Sequence, residues 1–142
     1  MINPSYIVGL VDGEGSFTIY IKNLDDSIEA KRRARAEPKF YLKLIEKDKK
    51  ILYKLKNFFG CGNVYFQQDK RKNHQNCYRY EVTSRSDLAN IIIPFFKRNT
   101  LQLESKQNDF KLFCELVERI KRDEHLTESG LKKLLLVKKK MH

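Results

Sequence analysis

Residues 6–17 read YIVGLVDGEGSF, a short apolar segment ending in a glycine-punctuated turn that holds two carboxylates, Asp12 and Glu14. Just upstream, Asn3 and Pro4 are a capping residue followed by proline at the first helical position, which predicts a helix over about residues 4–13. The C-terminal end of such a helix carries partial negative charge on unpaired carbonyls. A carboxylate there is disfavoured by up to about 1 kcal/mol unless a cation compensates, and a divalent metal ion is the obvious compensator.

Ile7, Val8, Leu10 and Val11 leave this helix almost no polar face, so it is expected to be covered on more than one side. Gly9 and Gly13 share one face and would let a second helix approach closely. The plainer alternative is that they only loosen the helix end.

With 142 residues and 41% hydrophobic content, the chain can bury one core, and a single domain over residues 1–142 is expected. Lys plus Arg number 29 against 18 Asp plus Glu, a net charge of +11 that calls for an acidic partner. Nucleic acid fits better than a membrane, because the longest apolar runs, such as Ile7 to Val11 and Ile91 to Phe96, are far too short to span one. The N-terminal apolar stretch stops at Asp12 and lacks a basic leader, so it is not read as a secretory signal. Cys61, Cys77 and Cys114 are odd in number and widely spaced, which points to a reducing intracellular setting, in cytoplasm, nucleoid or organelle matrix. A zinc site from Cys61, His74 and Cys77 would lack a CxxC pair and a fourth ligand.

The remaining pattern reads as two strands, a helix, two strands and further helices. Ser16–Lys22 alternates Phe17, Ile19 and Ile21 against Ser16, Thr18, Tyr20 and Lys22, and Lys39–Ile45 alternates Phe40, Leu42 and Leu44 against Lys39, Tyr41 and Lys43. Between them lies a charged connector from Asp25 to Glu37 with the cluster Lys31, Arg32, Arg33 and Arg35. Asp48 is the expected cap of a helix with the stripe Ile51, Leu52, Leu55, Phe58 and Phe59, stopped by Gly60. Val64 and Phe66 then alternate with Asn63, Tyr65 and Gln67. A basic loop, DKRKNHQN at residues 69–76, leads into Tyr78, Tyr80 and Val82 alternating with Arg79, Glu81 and Thr83. A short helix near Asp87 to Ile93 should end at Pro94. Ser105 should start a long amphipathic helix with Phe110, Phe113, Val117 and Ile120 inward, and Thr127 should cap a last helix in a tail over about residues 126–142.

All four strands thus show one apolar face and one face of side chains able to bond base edges and phosphates. Antiparallel sheets covered on one side commonly look like this. The basic excess, and basic clusters in both hairpin loops, favour DNA. Thr18, Tyr20, Lys22, Lys39, Tyr41, Lys43, Tyr65, Gln67 and Arg79 are the expected base-reading positions, and Arg32, Arg33, Arg35, Lys70, Arg71 and Lys72 the expected phosphate contacts.

The apolar helix, its Gly-Asp/Glu-Gly end and the order of elements together resemble the LAGLIDADG homing endonucleases. Ile7 to Gly15, IVGLVDGEG, lines up with the nine-residue family motif: Gly9, Leu10, Asp12 and Gly15 match, and Glu14 replaces the second aspartate. The FGCGNV turn at Phe59 to Val64 and the segment around Lys106 extend the likeness over most of the chain. It implies an α+β domain in the order α-β-β-α-β-β-α, with an antiparallel sheet forming a DNA-binding saddle and helices on the other face. A single motif copy implies a homodimer, with Val8, Gly9, Asp12 and Gly13 at the contact between the two motif helices.

The same resemblance implies the chemistry. Pairing would bring two Glu14 carboxylates together, and Mg2+ or a similar divalent ion would relieve their repulsion while binding scissile phosphates. Glu14 and the Gly13 carbonyl are the implied metal ligands, and Asp12 is implied to be structural, bonding near the helix ends. The expected reaction is metal-dependent hydrolysis of both strands of a long, roughly palindromic DNA site, leaving staggered 3′ overhangs. Lys106, a cation at the unfavourable end of its helix, would polarise water or stabilise transition-state charge; a solvated surface lysine is the alternative. Glu46 stands where many relatives carry glutamine and would act on water or metal, or else pair with a nearby lysine. Lys50 would support the solvent network. An intron-RNA splicing cofactor of the same family and a non-catalytic DNA-binding protein are the competing readings; a transcription regulator on this scaffold would be expected to carry an added helix-turn-helix domain.

Overall fold

The computed structural model of the chain describes residues 2–22 and 35–142. Helix α1 (Pro4–Glu14) begins where Asn3 Oδ1 accepts the N–H groups of Ser5 and Tyr6, at 2.7 and 3.2 Å. It extends one residue beyond the expected end, so Glu14 is its last helical residue. Gly15 then turns the chain directly into strand β1 (Gly15–Lys22). A side chain has no room at this corner, because a Cβ on Gly15 would lie 2.6 Å from Val11 Cγ1 and 2.9 Å from Val11 O.

β1 pairs antiparallel with β2 (Arg35–Ile45), Gly15 opposite Leu42 and Lys22 opposite Arg35. β2 starts earlier than the alternation suggested and contains Pro38. Its pairing with β4 begins only at Phe40, so Pro38 has no strand on that side and its missing N–H breaks no ladder there. With β3 (Asn63–Gln67) and β4 (Cys77–Val82), the strands form one antiparallel sheet in the order β1-β2-β4-β3. After β2, a 3-10 turn (Glu46–Asp48) leads into helix α2 (Lys49–Phe59). Asp48 occupies the cap position, but its side chain makes no capping bond. Gly60, at φ 70°, ends the helix in the left-handed conformation that favours glycine.

Pro94 does not end a helix. A single turn, α3 (Arg85–Asp87), passes through a π turn (Leu88–Ile92) into α4 (Ile93–Arg98), and Pro94 sits in the first turn of α4. In a regular α-helix its ring would meet the carbonyl of Asn90; the wider π turn opens the spiral at that point. Helix α5 (Glu104–Lys121) starts one residue before Ser105, and α6 (Glu128–Lys138) is capped by Thr127 Oγ1, which accepts the Gly130 N–H at 3.0 Å.

The helices cover one face of the sheet, giving the α+β architecture. Phe17, Phe40, Phe59, Tyr80, Phe96 and Phe113 form the buried centre, Phe17 and Phe96 meeting edge to face at 5.6 Å. A second cluster of Ile19, Ala36, Leu116, Ile120, Leu131, Leu134 and Val137 packs α6 against α5 and the β1–β2 side of the sheet. The inward faces follow the alternation except in β3. Phe66 is 52% exposed, because β3 is a short edge strand and the ring rests mainly on Tyr78, centroids 5.3 Å apart. Among the described residues, no helix is long and apolar enough to cross a membrane.

Candidate active site and nucleic-acid interface

Asp12 and Glu14 leave the end of α1 in different environments. Asp12 is 9% exposed, and its two carboxylate oxygens accept the Gln102 N–H at 3.1 and 2.9 Å; Oδ1 also accepts the Leu103 N–H at 3.2 Å. These donors lead into α5, whose own cap position, Leu103, offers no side-chain acceptor. Asp12 therefore caps a helix distant in sequence and sets negative charge at its positive end. Glu14 is exposed and has no cation within ion-pair distance and no hydrogen-bond partner among the described residues.

Lys106, half-buried in the first turn of α5, donates from Nζ to the carbonyl of Gly15. The structure thus brings its ammonium to the residue following Glu14. Glu46 and Lys50 stand apart from this corner. Gly15 is opposite Leu42, and Glu46 lies four residues further along, about 13 Å of extended chain. Its N–H is taken by Asn76 O at 3.0 Å, beside His74 and Gln75. Lys50 is exposed on the first turn of α2. Among the described residues no three His, Cys, Asp or Glu side chains gather as a metal centre, so Cys61, His74 and Cys77 do not form one. At this corner the chain instead offers the Glu14 carboxylate, unpaired among the described residues, with the Gly13 carbonyl in a last helical turn that lacks intrahelical donors. Hard oxygens of this kind suit Mg2+ or Ca2+.

The exposed stripe of α1 is equally defined. Ile7, Val8, Val11 and Asp12 turn inward, which leaves Tyr6, Gly9 and Gly13 exposed along the opposite face, with Leu10 half-buried at its edge. Val8 and Asp12, expected at a helix-pairing contact, are buried within the chain's own packing. A Cβ on Gly9 or on Gly13 would meet nothing within 4 Å. The fold of the chain requires glycine at neither place. Leu103, 50% exposed, borders the same end of α1 through the Asp12 bond.

The uncovered sheet face carries the expected polar set. Thr18 stands opposite Lys39, Lys22 opposite Arg35, Lys43 opposite Arg79, and Arg79 opposite Tyr65, with Tyr20 and Tyr65 about half exposed. Gln67 continues the face on β3. Arg35 belongs to β2 and not to a loop, 3.7 Å from Glu37. Glu81, which alternation placed outward without a role, organises the centre. Its Oε1 lies 2.9 Å from Arg79 Nε and 3.7 Å from Lys39 Nζ, while the Arg79 guanidinium sits 3.8 Å above the Tyr41 ring. In the β3–β4 loop, Arg71 grips Asp69 through Nε at 3.0 Å and Nη2 at 2.8 Å, holding that carboxyl well below the usual carboxylate range. Lys70 and Lys72 flank it, both exposed. Arg32 and Arg33 lie outside the described residues.

A sequence model described as LAGLIDADG endonuclease matches residues 7–117. The chain is similar to "Probable intron-encoded endonuclease 2" of Neurospora crassa, 34% identical over 94% of this chain and 28% of that protein. It is also similar to "Homing endonuclease I-ApeII" of Aeropyrum pernix, 31% identical over 79% of this chain and 60% of the relative. The chain spans only about a quarter of the length of the two Neurospora relatives it matches. Among solved structures, the homing endonuclease I-TnaI superposes with a TM-score of 0.82 at 34% identity, covering 99% of this chain and 88% of that one. I-SmaMI bound to cleaved DNA gives 0.84 at 29% identity, covering 100% of this chain but 44% of its own. I-SmaMI bound to an uncleaved target in the presence of calcium ions gives 0.81 at 31% identity, covering 97% and 44%.

Proposed function

The chain belongs to the LAGLIDADG endonuclease family, and on that premise we propose that it is a site-specific double-strand DNA endonuclease, one domain over residues 1–142 working as a homodimer. The observation that carries the reading is the Glu14 carboxylate, unpaired among the described residues, next in sequence to the Gly15 carbonyl that holds the Lys106 ammonium, at the end of a helix whose open face bears Gly9 and Gly13. The match to nearly all of I-TnaI but under half of I-SmaMI supports two copies of this fold making one working unit. The apolar stripe of α1 supports the same pairing, self-complementary across a two-fold axis. Its contact face consists of Tyr6, Gly9, Leu10 and Gly13, with Val8 and Asp12 bracing it from within.

Two Glu14 carboxylates near that axis, each with a Gly13 carbonyl, form a hard-oxygen set for a divalent ion such as Mg2+. A bound ion of this class supplies an acidified water and charge at the departing 3′ oxygen. Glu14 would hold such an ion and so orient the scissile phosphate. Lys106, fixed by the Gly15 carbonyl, sets positive charge where negative charge develops in the transition state. Glu46 and Lys50, which stand apart from this corner, would act only through a solvent network that reaches the phosphate. The sheet supplies recognition: β1 has 8 residues and spans about 26 Å, roughly 7 to 8 base pairs per half-site. One cut per strand leaves staggered 3′ overhangs. The intron-encoded relatives and the three free cysteines support a reducing compartment such as an organelle matrix or the cytoplasm.

A plasmid carrying the uninterrupted form of the host gene tests this. Wild type should linearise it only with Mg2+, whereas Glu14→Gln should bind and not cut. Equal cutting by Glu14→Gln would sink the ligand assignment. Wild-type binding to intron RNA with no DNA cleavage would make the chain a splicing cofactor instead.

A further inference from the structure

We infer that Arg79 reads a guanine in the major groove of each half-site, with Glu81 and Tyr41 as its positioning residues. This rests on the nuclease reading and deepens its recognition step.

Glu81 is the observation that requires explanation. A carboxylate on a surface facing a polyanion repels the ligand, yet Glu81 lies in mid-sheet with its side chain 16% exposed, opposite Tyr41 on β2 and Asn63 on β3. An ion pair at a sheet surface contributes little to stability, so stability is a weak reason to keep the charge there. What Glu81 does is fix Arg79. Arg79 Nε lies 2.9 Å from Glu81 Oε1, in a charge contact too bent to be a hydrogen bond, and is shielded from solvent. The guanidinium plane rests 3.8 Å from the centre of the Tyr41 ring.

With Nε turned inward, Nη1 and Nη2 form the outward end of a side chain that is still 26% exposed. Neither has a hydrogen-bond partner among the described residues. Two parallel N–H donors held in a fixed plane match the O6 and N7 acceptors of guanine. They match a phosphate too, but Glu81 places a negative charge beside the fork, which disfavours a second anion and tolerates a neutral base edge. Lys39, 3.7 Å from the same carboxylate, keeps Glu81 from swinging outward. Lys43 and Tyr65 flank Arg79 on the neighbouring strands, so its base pair lies within the half-site and not at its end.

Selection of bound duplexes from a randomised DNA library, with the full chain, gives base preferences position by position. Wild type should show a guanine at one symmetric position in each half-site. Arg79→Lys should lower that preference about tenfold to a hundredfold at this position alone. Glu81→Gln keeps the shape and removes the charge; it should relax the same position while binding to unrelated DNA tightens. Tyr41→Phe keeps the ring under the guanidinium and should keep the guanine preference at this position, whereas Tyr41→Leu should relax it as Glu81→Gln does. Thermal melts of the variants confirm that the fold is kept. If Arg79→Lys weakens all sequences equally and lowers the salt dependence of binding, Arg79 is a phosphate contact and the inference is overturned. A wild type that enriches no sequence overturns the nuclease reading itself, a result distinct from an enriched site that ignores Arg79.

Discussion

Replacing Asp12 with alanine removes the acceptor of the Gln102 and Leu103 N–H groups and leaves the start of α5 without a cap, since Leu103 has none to offer. A lost side-chain cap costs about 0.5–2 kcal/mol. Here the acceptor is charged and 9% exposed, which moves the loss toward the roughly 1.5–3 kcal/mol of hydrogen bonds to ionised groups. Against this, removing a negative charge from the C-terminal end of α1 recovers about 0.3–1 kcal/mol. The net expectation is a loss of about 2 kcal/mol, with Asp12→Asn, which keeps one acceptor oxygen, losing about half as much. Urea melts should show a lower midpoint with an unchanged m-value, and amide exchange at Gln102 and Leu103 should accelerate. Because Lys106 is in the first turn of that helix, Asp12→Asn should also slow cleavage while leaving Mg2+ affinity close to wild type. An Asp12→Ala protein within 0.5 kcal/mol of wild type, roughly the scatter for surface changes, would refute the capping role. An Asp12→Asn protein that loses Mg2+ binding would make the residue a metal ligand.

The open face of α1 makes a second test simple. Gly9→Leu should leave the protomer's melting temperature unchanged or raised, since nothing lies within 4 Å of the new Cβ and leucine is the better helix former by roughly 0.5–1 kcal/mol. Sedimentation should nevertheless show the dimer dissociating at a concentration at least tenfold higher, and an unaltered dimer would place the contact elsewhere. His125 supplies a pH test. Its pKa is held below the usual imidazole value by burial first and then by the positive charge of Arg85, with Asp123 opposing. The folded state therefore binds fewer protons than the unfolded one below about pH 6.5, and stability should fall as pH drops from there toward the folded pKa, by at most about 1.4 kcal/mol per pH unit. His125→Gln should flatten that slope in urea melts between pH 7.5 and 5; an identical slope would assign it to other groups.

The strands were legible because alternation is a local consequence of the pleat, and Phe17, Ile19, Phe40, Leu42, Tyr80 and Val82 are buried where it put them. Pro94 was misread, and the strand that contains Pro38 was begun too late, for a physical reason. Whether proline breaks an element depends on what its missing N–H would have bonded. At Pro38 that depends on how far β4 extends, and at Pro94 on a π turn upstream. Neither is written in the neighbouring residues. The inward side of α1 was illegible for the opposite reason: Ile7, Val8, Leu10 and Val11 surround the helix with apolar groups, so periodicity cannot say that Val8 is buried and Leu10 only half-buried. Glu81 was visible as an outward residue, but its partners Arg79, Lys39 and Tyr41 are gathered only by the β2–β4 register.

The two carboxylates after Val11 look equivalent in sequence and are electrostatically opposite in the fold. Each sits against the negative end of α1, and each needs positive charge. Asp12 finds it in the positive end of α5, about 90 residues away in the chain, and that contact fixes where α5 begins. The start of α5 in turn sets Lys106, whose ammonium reaches the Gly15 carbonyl and not the Glu14 carboxylate. One acid is thus neutralised in a way that positions the cation, while the other is left exposed and unpaired among the described residues. An internal salt bridge between Glu14 and Lys106 would have satisfied the corner and closed it to ligands. Holding the lysine on the Gly15 backbone carbonyl instead leaves the Glu14 carboxylate open to the divalent ion proposed above.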